Sequence, residues 1–138
     1  MDPTINAGNK VLINRAAYTF GGVKRGDLIA YRNTEATDSS VHVKRVIGLP
    51  GETVQIKDNL VYINGKPLDA DDALGQATIA GIAEFPIDLG VDEYFLLGDN
   101  RESSEDSRFS GIGTIKREQL TGKVWFKFQP IEEFGLIQ

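Results

Sequence analysis

Lys44 is the residue of this 138-residue chain best placed to do chemistry. It stands in Val41-His42-Val43-Lys44-Arg45-Val46-Ile47-Gly48, an apolar run interrupted by a cationic pair and closed by the turn signal Leu49-Pro50-Gly51. Alternation sets Lys44 on one face of a strand with His42 and Val46. A lysine in water has a pKa near about 10.4 and holds its proton at neutral pH. Burial among apolar groups disfavours the ammonium and turns the amine into a base. Lys24, Lys57, Lys66 and Lys116 occupy turn-like or polar settings, and Lys123 and Lys127 fall on the less apolar face of the last strand, which leaves Lys44 to meet that condition. A desolvated lysine can deprotonate a serine hydroxyl in place of a histidine and carboxylate pair, and a second hydroxyl can orient the amine. The structural alternative is a solvated lysine that guards a sheet edge. Three functional readings stay open on these residues: a serine and lysine hydrolase, a β-rich binding module, and a regulatory domain that cleaves its own chain with the same dyad.

Several elements must position Lys44. A first strand is expected over Val11–Arg15, after the Asn6-Ala7-Gly8-Asn9 turn, and a second over Leu28–Arg32, after Lys24-Arg25-Gly26-Asp27. A polar loop from Asn33 to Ser40 precedes the Lys44 strand, and Leu49-Pro50-Gly51 fits a type II turn. Thr53–Ile56 and Leu60–Ile63 form a hairpin around Lys57-Asp58-Asn59, and Asn64-Gly65 turns the chain into Lys66-Pro67-Leu68. From about 69 to 90 the pattern breaks, with Asp69, Asp71 and Asp72 leading into a Gly- and Ala-rich stretch read as an excursion or mobile loop. Tyr94–Leu97 reads as a buried strand. The polar stretch Gly98–Arg108 follows, and Asp106 and Arg108 can order it by a bidentate contact. Ile112–Leu120 is weakly helical or turn-like, and Lys123–Phe128 alternates cleanly as a closing strand ended by Pro130. The sum is a mostly β chain of antiparallel strands and hairpins in a single domain, residues 1–138.

Composition narrows the function. Hydrophobic residues at 41% and charged residues at 25% describe an ordinary globular chain, not a disordered one. A net charge of -5 without a basic cluster argues against nucleic acid as a partner. No cysteine and a single histidine, His42, remove thiol catalysis, thiolate metal sites and His-rich metal motifs. P-loop and dinucleotide motifs are missing, so no cofactor is expected. No apolar run reaches the length of a membrane span, and Met1-Asp2-Pro3-Thr4 has neither the basic start nor the apolar centre of a secretory signal.

Three blocks, in order, carry a family resemblance: Met1-Asp2-Pro3-Thr4-Ile5 before Val11-Leu12-Ile13-Asn14, Val43 to Glu52, and Leu97-Gly98-Asp99-Asn100-Arg101 through Asp106-Ser107-Arg108. With Gly26-Asp27-Leu28-Ile29-Ala30-Tyr31 as a fourth, the chain resembles bacterial type I signal peptidases over nearly its whole length. The resemblance implies a signal-peptidase-like (LexA-like) β-fold. It further implies a membrane-anchored serine endopeptidase outside the cytoplasmic membrane that removes signal peptides from exported preproteins. By position, Lys44 matches the general base and Ser104 the hydroxyl that orients it. Asp99, Asn100, Arg101, Asp106 and Arg108 match the loop supporting the site. Met1 and Ile5 match pocket walls, and Val41, His42 and Val43 match the strand that pairs with the extended substrate.

In that family the nucleophilic serine comes immediately before the methionine matched by Met1, and the family's preceding strand and anchor lie further upstream. The 138 residues are therefore expected to be a soluble excised domain, folded but inactive. Ser39, Ser40, Ser103 and Ser110 offer hydroxyls, and all four are read as loop residues. Two rivals remain: a naturally non-catalytic homologue acting as a binding or assembly factor, and a self-cleaving repressor-type domain with Ala80-Gly81 as a target.

Overall fold

Strands dominate, as the alternating runs predict, in a computed structural model that describes residues 1–34, 40–69, 74–129 and 135–137. Ser39, Asp71, Asp72 and Pro130 lie outside the described residues. In chain order the strands are β1 (Lys10–Asn14), β2 (Leu28–Arg32), β3 (Val41–Gly48), β4 (Thr53–Lys57), β5 (Leu60–Ile63) and β6 (Lys66–Pro67). They continue with β7 (Ile87–Asp88), β8 (Glu93–Leu97), β9 (Ile115–Lys116), β10 (Leu120–Gln129) and β11 (Gly135–Leu136). A large antiparallel sheet runs β1-β10-β2-β3-β8-β9, with β11 against β10, and a smaller one runs β6-β5-β4-β7.

β3 is central to the large sheet because it meets both β2 and β8. Its register on β2 sets Lys44 opposite Ile29 and His42 opposite Tyr31, so those four side chains share a face with the expected partner Val46. Val43 opposes Ala30, and Arg45 opposes Leu28, on the other face. Each face meets its own cluster. Ile29, Tyr31, Val46, Tyr94, Leu96 and Ile115 pack together on the Lys44 side, whereas Leu28, Ala30 and Val124 pack with Met1, Ile5 and Val43 on the other. Ile47, Phe95 and Leu97 join Val54, Ile56 and Val61 of the small sheet, so one buried cluster binds the two sheets.

The turn chemistry anticipated after β3 is present. Glu52 N–H donates to Leu49 C=O at 3.1 Å, and Gly51, at φ +79°, takes the left-handed position of a type II turn. Positive φ at Asp58 and Asn59, and again at Asn64 and Gly65, closes the β4–β5 and β5–β6 connections.

Three segments differ from expectation. The described part of the excursion is packed: Ala77, Ala83 and Leu89 are buried in the small-sheet cluster, around a 3-10 turn over Gly81–Glu84 and strand β7. Small side chains let backbone approach backbone there without any hydrophobic period. Ile112–Leu120 holds β9 and a 3-10 turn at Arg117–Gln119. The closing strand starts at Leu120, not Lys123; Thr121-Gly122 looks like a turn, yet a Cβ on Gly122 would stand 2.6 Å from Asn14 C=O, so the glycine admits β1.

Candidate active site

β8 pairs with β3 only from Arg45 to Gly48 and ends at Leu97, opposite Arg45. The chain then turns away at Gly98, so among the described residues no strand covers that edge of Val41–Lys44. The turn brings Gly98–Arg108 across the end of the exposed edge. Lys44 Nζ donates a 2.8 Å hydrogen bond to Ser104 Oγ, joining residues 60 positions apart. Gly98 makes the approach feasible: a Cβ there would lie 2.0 Å from Ser104 Oγ.

Ser104 is held from below by a buried ion pair. Arg108 Nε and Nη2 reach the two carboxylate oxygens of Asp106 at 2.8 and 2.9 Å, and both side chains are buried. Asp106 also accepts the Gly98 N–H at 2.9 Å. Arg108 Nη2 donates to Ser104 C=O at 3.3 Å and Nη1 to Ile79 C=O at 3.1 Å. Among the described residues, no buried side-chain nitrogen or oxygen lacks a partner, the condition under which a buried charged pair is tolerated.

A second pair anchors the N-terminal turn. Arg45 grips Asp99 through Nε and Nη2, both at 2.7 Å, and Thr4 Oγ1 donates to the same carboxylate. Ile5 N–H closes the turn on Met1 C=O. Met1 therefore stands beside Lys44, where both line a cavity of about 550 Å³ with Tyr31, Asn33 and His42. Asn100, Ser103, Ser104, Glu105 and Ile112 complete it. The His42 ring leans on Tyr31, with centroids 5.6 Å apart, and shares a 3.0 Å hydrogen bond with Ser40.

Burial pushes the Lys44 ammonium below the ordinary lysine value; Asp106 pushes it back up, Arg108 pushes it down and Glu105 up. Burial also pushes the Tyr31 phenol up to about 12, with Asp106 adding to it, so Tyr31 stays neutral. For Asp99, burial favours the protonated acid, but the hydrogen bonds from Arg45 and Thr4, with the charges of Arg45 and Arg101, together hold it below the usual 3.8. Its folded pKa thus lies below its unfolded one, so its contribution to stability is complete above the unfolded value and is lost as pH falls through the folded value. The thermal-stability gap between the parent and Asp99→Asn is expected to be widest at neutral pH and to close below about pH 4. Acid melts of the two proteins measure it; a gap independent of pH would refute the assignment.

The sequence-predicted residues fall into three groups. Lys44, Ser104, Met1, His42 and Asn100 meet at the cavity. Ile5 and Val43 pack on the opposite face with Met1, while Val41 is exposed at the strand start. Asp99, Arg101, Asp106 and Arg108 are ligated by backbone or by ion pairs around the loop, Arg101 reaching the carbonyls of Gly98, Leu74 and Gln76. Thr4, Arg45, Tyr31, Asn33 and Glu105 were not read as site residues. Arg45 and Asp99 signal their pairing only by opposite charge, with 54 positions between them.

Residues 1–129 match the family described as signal peptidase, peptidase S26. The chain is 37% identical to signal peptidase I of Bacillus licheniformis, covering 96% of this chain and 74% of that protein. It is 35% identical to signal peptidase IB of Staphylococcus aureus, over 97% and 75%. A crystal structure of a signal peptidase I from Enterococcus faecalis superposes with a TM-score of 0.58 at 29% identity, covering 75% of this chain and 97% of that one. The fold is mostly antiparallel β and matches that of a signal peptidase I. The chain belongs to the signal peptidase family.

Proposed function

We propose that this domain supplies the base half of a serine and lysine dyad that cleaves signal peptides from exported preproteins. The observation that carries the proposal is the Lys44 to Ser104 hydrogen bond in a partly buried setting at the uncovered edge of β3. In this reading a serine placed immediately before Met1 is the nucleophile. Consecutive Cα atoms stand about 3.8 Å apart, and Met1 lines the cavity that Lys44 lines, which supports a serine at that position meeting the amine. Neutral Lys44, kept in place by Ser104, takes the hydroxyl proton as the serine oxygen attacks the substrate carbonyl. The resulting ammonium gives its proton to the leaving amine, and water then hydrolyses the acyl ester. The substrate adds a strand along Val41–Val43, and Met1, Ile5 and Val43 wall pockets for small side chains. Family membership supports a membrane-anchored protein with this domain on the extracytoplasmic side.

A form carrying a serine immediately before Met1, together with the strand that precedes it in the family, is expected to cut a preprotein after an Ala-X-Ala site. The 138 residues alone are expected to give no cleavage, because neither the serine hydroxyl nor its backbone N–H for the oxyanion is among them. Gel assays of preprotein processing measure both. Absence of cleavage by the serine-bearing form, or cleavage indifferent to Lys44→Met, would sink the reading.

A further inference from the structure

We propose that Glu105 makes this site select substrates carrying a cationic side chain close to the cleaved bond, an inference that rests on the peptidase reading above. The carboxylates around the site are otherwise engaged. Asp99 is gripped by Arg45, and Asp106 by Arg108. Glu105 follows Ser104 in the chain and lines the same cavity as Lys44, yet its side chain is exposed and has no hydrogen bond or ion pair among the described residues. The other ionisable side chains lining that cavity are Lys44, His42 and Tyr31, and the raised Tyr31 phenol is neutral. Lys44 is tied to Ser104 and His42 to Ser40. When Lys44 is the neutral base, Glu105 is therefore the unneutralised carboxylate of the chamber.

Reach supports the assignment. The reacting carbonyl must lie near Lys44 Nζ, and residues on either side of it follow at about 3.8 Å per step. A lysine or arginine within two or three residues of the cleaved bond can span that interval with its own stem and meet Glu105 at the rim. A glutamate there meets like charge instead. Because the carboxylate is solvated, the discrimination is a few-fold, not absolute.

The test uses the serine-bearing form and a peptide set in which Lys or Glu replaces, singly, the middle residue of the Ala-X-Ala site and each of the three residues after the cleaved bond. The readout is the Lys-to-Glu ratio of kcat/KM at each position. At one position or more the parent is expected to favour Lys about three- to tenfold, Glu105→Gln to bring the ratio near one, and Glu105→Lys to invert it. Any change that the substitutions cause in Lys44 basicity cancels in the ratio, since both peptides meet the same base at the same pH. Inversion is something a purely structural role for Glu105 cannot produce. Titrating the same peptides into the 138-residue chain is expected to reproduce the order in affinity. Normal cleavage with a ratio that is the same in all three proteins would overturn the role of Glu105 alone, whereas failure of every peptide to be cut would remove the peptidase reading and this inference with it.

Discussion

Lys44→Met in the serine-bearing form is expected to lower kcat by about 10²–10⁴-fold, the usual contribution of a positioned general base, while KM changes little. The substitution keeps chain length and removes the amine, so the peptide still meets the same edge of β3. Stability is expected to move the other way. The folded pKa of Lys44 lies below its unfolded value because burial disfavours the ammonium. That cost is present in full at pH values below the folded pKa and disappears only as pH rises past the unfolded value near about 10.4. Methionine carries no such cost, so the variant should melt no lower than the parent at pH 7. A methionine variant that melts well below the parent would mean that lost activity reports unfolding. The parent's kcat should rise with pH as the ammonium deprotonates, on a limb centred below the ordinary lysine value. Glu105→Gln removes a charge that favours the ammonium and should carry the limb to lower pH. A limb unmoved by that change, and centred near 10.4, would deny Lys44 its role.

The second large effect concerns stability. Arg108→Met leaves the Asp106 carboxylate buried without its counter-charge, and breaking a buried pair in this way costs about 3–5 kcal/mol. For a domain of this size that is a fall in Tm of roughly 10 °C or more. The double variant Asp106→Asn with Arg108→Met removes the stranded charge and is expected to recover part of the loss. Activity should stay low in both, because the guanidinium also holds the Ser104 and Ile79 carbonyls. A single variant as stable as the parent would show that water reaches Asp106 and screens it.

Much of the frame around Lys44 was legible before any coordinates. Leu28–Arg32 and Val41–Gly48 are strands to the residue, because each is a β-rich run bounded by strong punctuation, and Pro50-Gly51 admits few turns besides the one formed. The alternation of β3 also predicted which face Lys44 shares. What alternation could not supply was Ser104, which came from resemblance: a contact across 60 positions depends on where β8 stops. The packing of the excursion was hidden for a related reason. Ala77, Ala80, Gly81 and Ala83 carry no period, yet a Cβ on Gly81 would stand 2.2 Å from Arg108 C=O, so smallness itself was the signal. Thr4, Arg45 and Asp99 form one anchor from the N-terminal turn, β3 and the loop after β8, and each looks unremarkable in its own neighbourhood.

The path from Arg101 and Arg108 to the backbone of residues 74–82 has a consequence for how the molecule opens. Arg101 reaches the carbonyls of Leu74 and Gln76, Arg108 reaches Ile79, and Ile82 N–H returns to Arg108 C=O at 2.8 Å. On its other side the same segment is laced to β5 and the hairpin turn, through Val61 N–H to Gly75 C=O and Ala77 N–H to Asn59 C=O. The small sheet and the loop bearing Ser104 are thereby expected to open as one cooperative unit. Amides in β5 and around Ser107 should lose their protection from hydrogen exchange together, and an excursion that frees the hairpin also leaves the lysine without its hydroxyl.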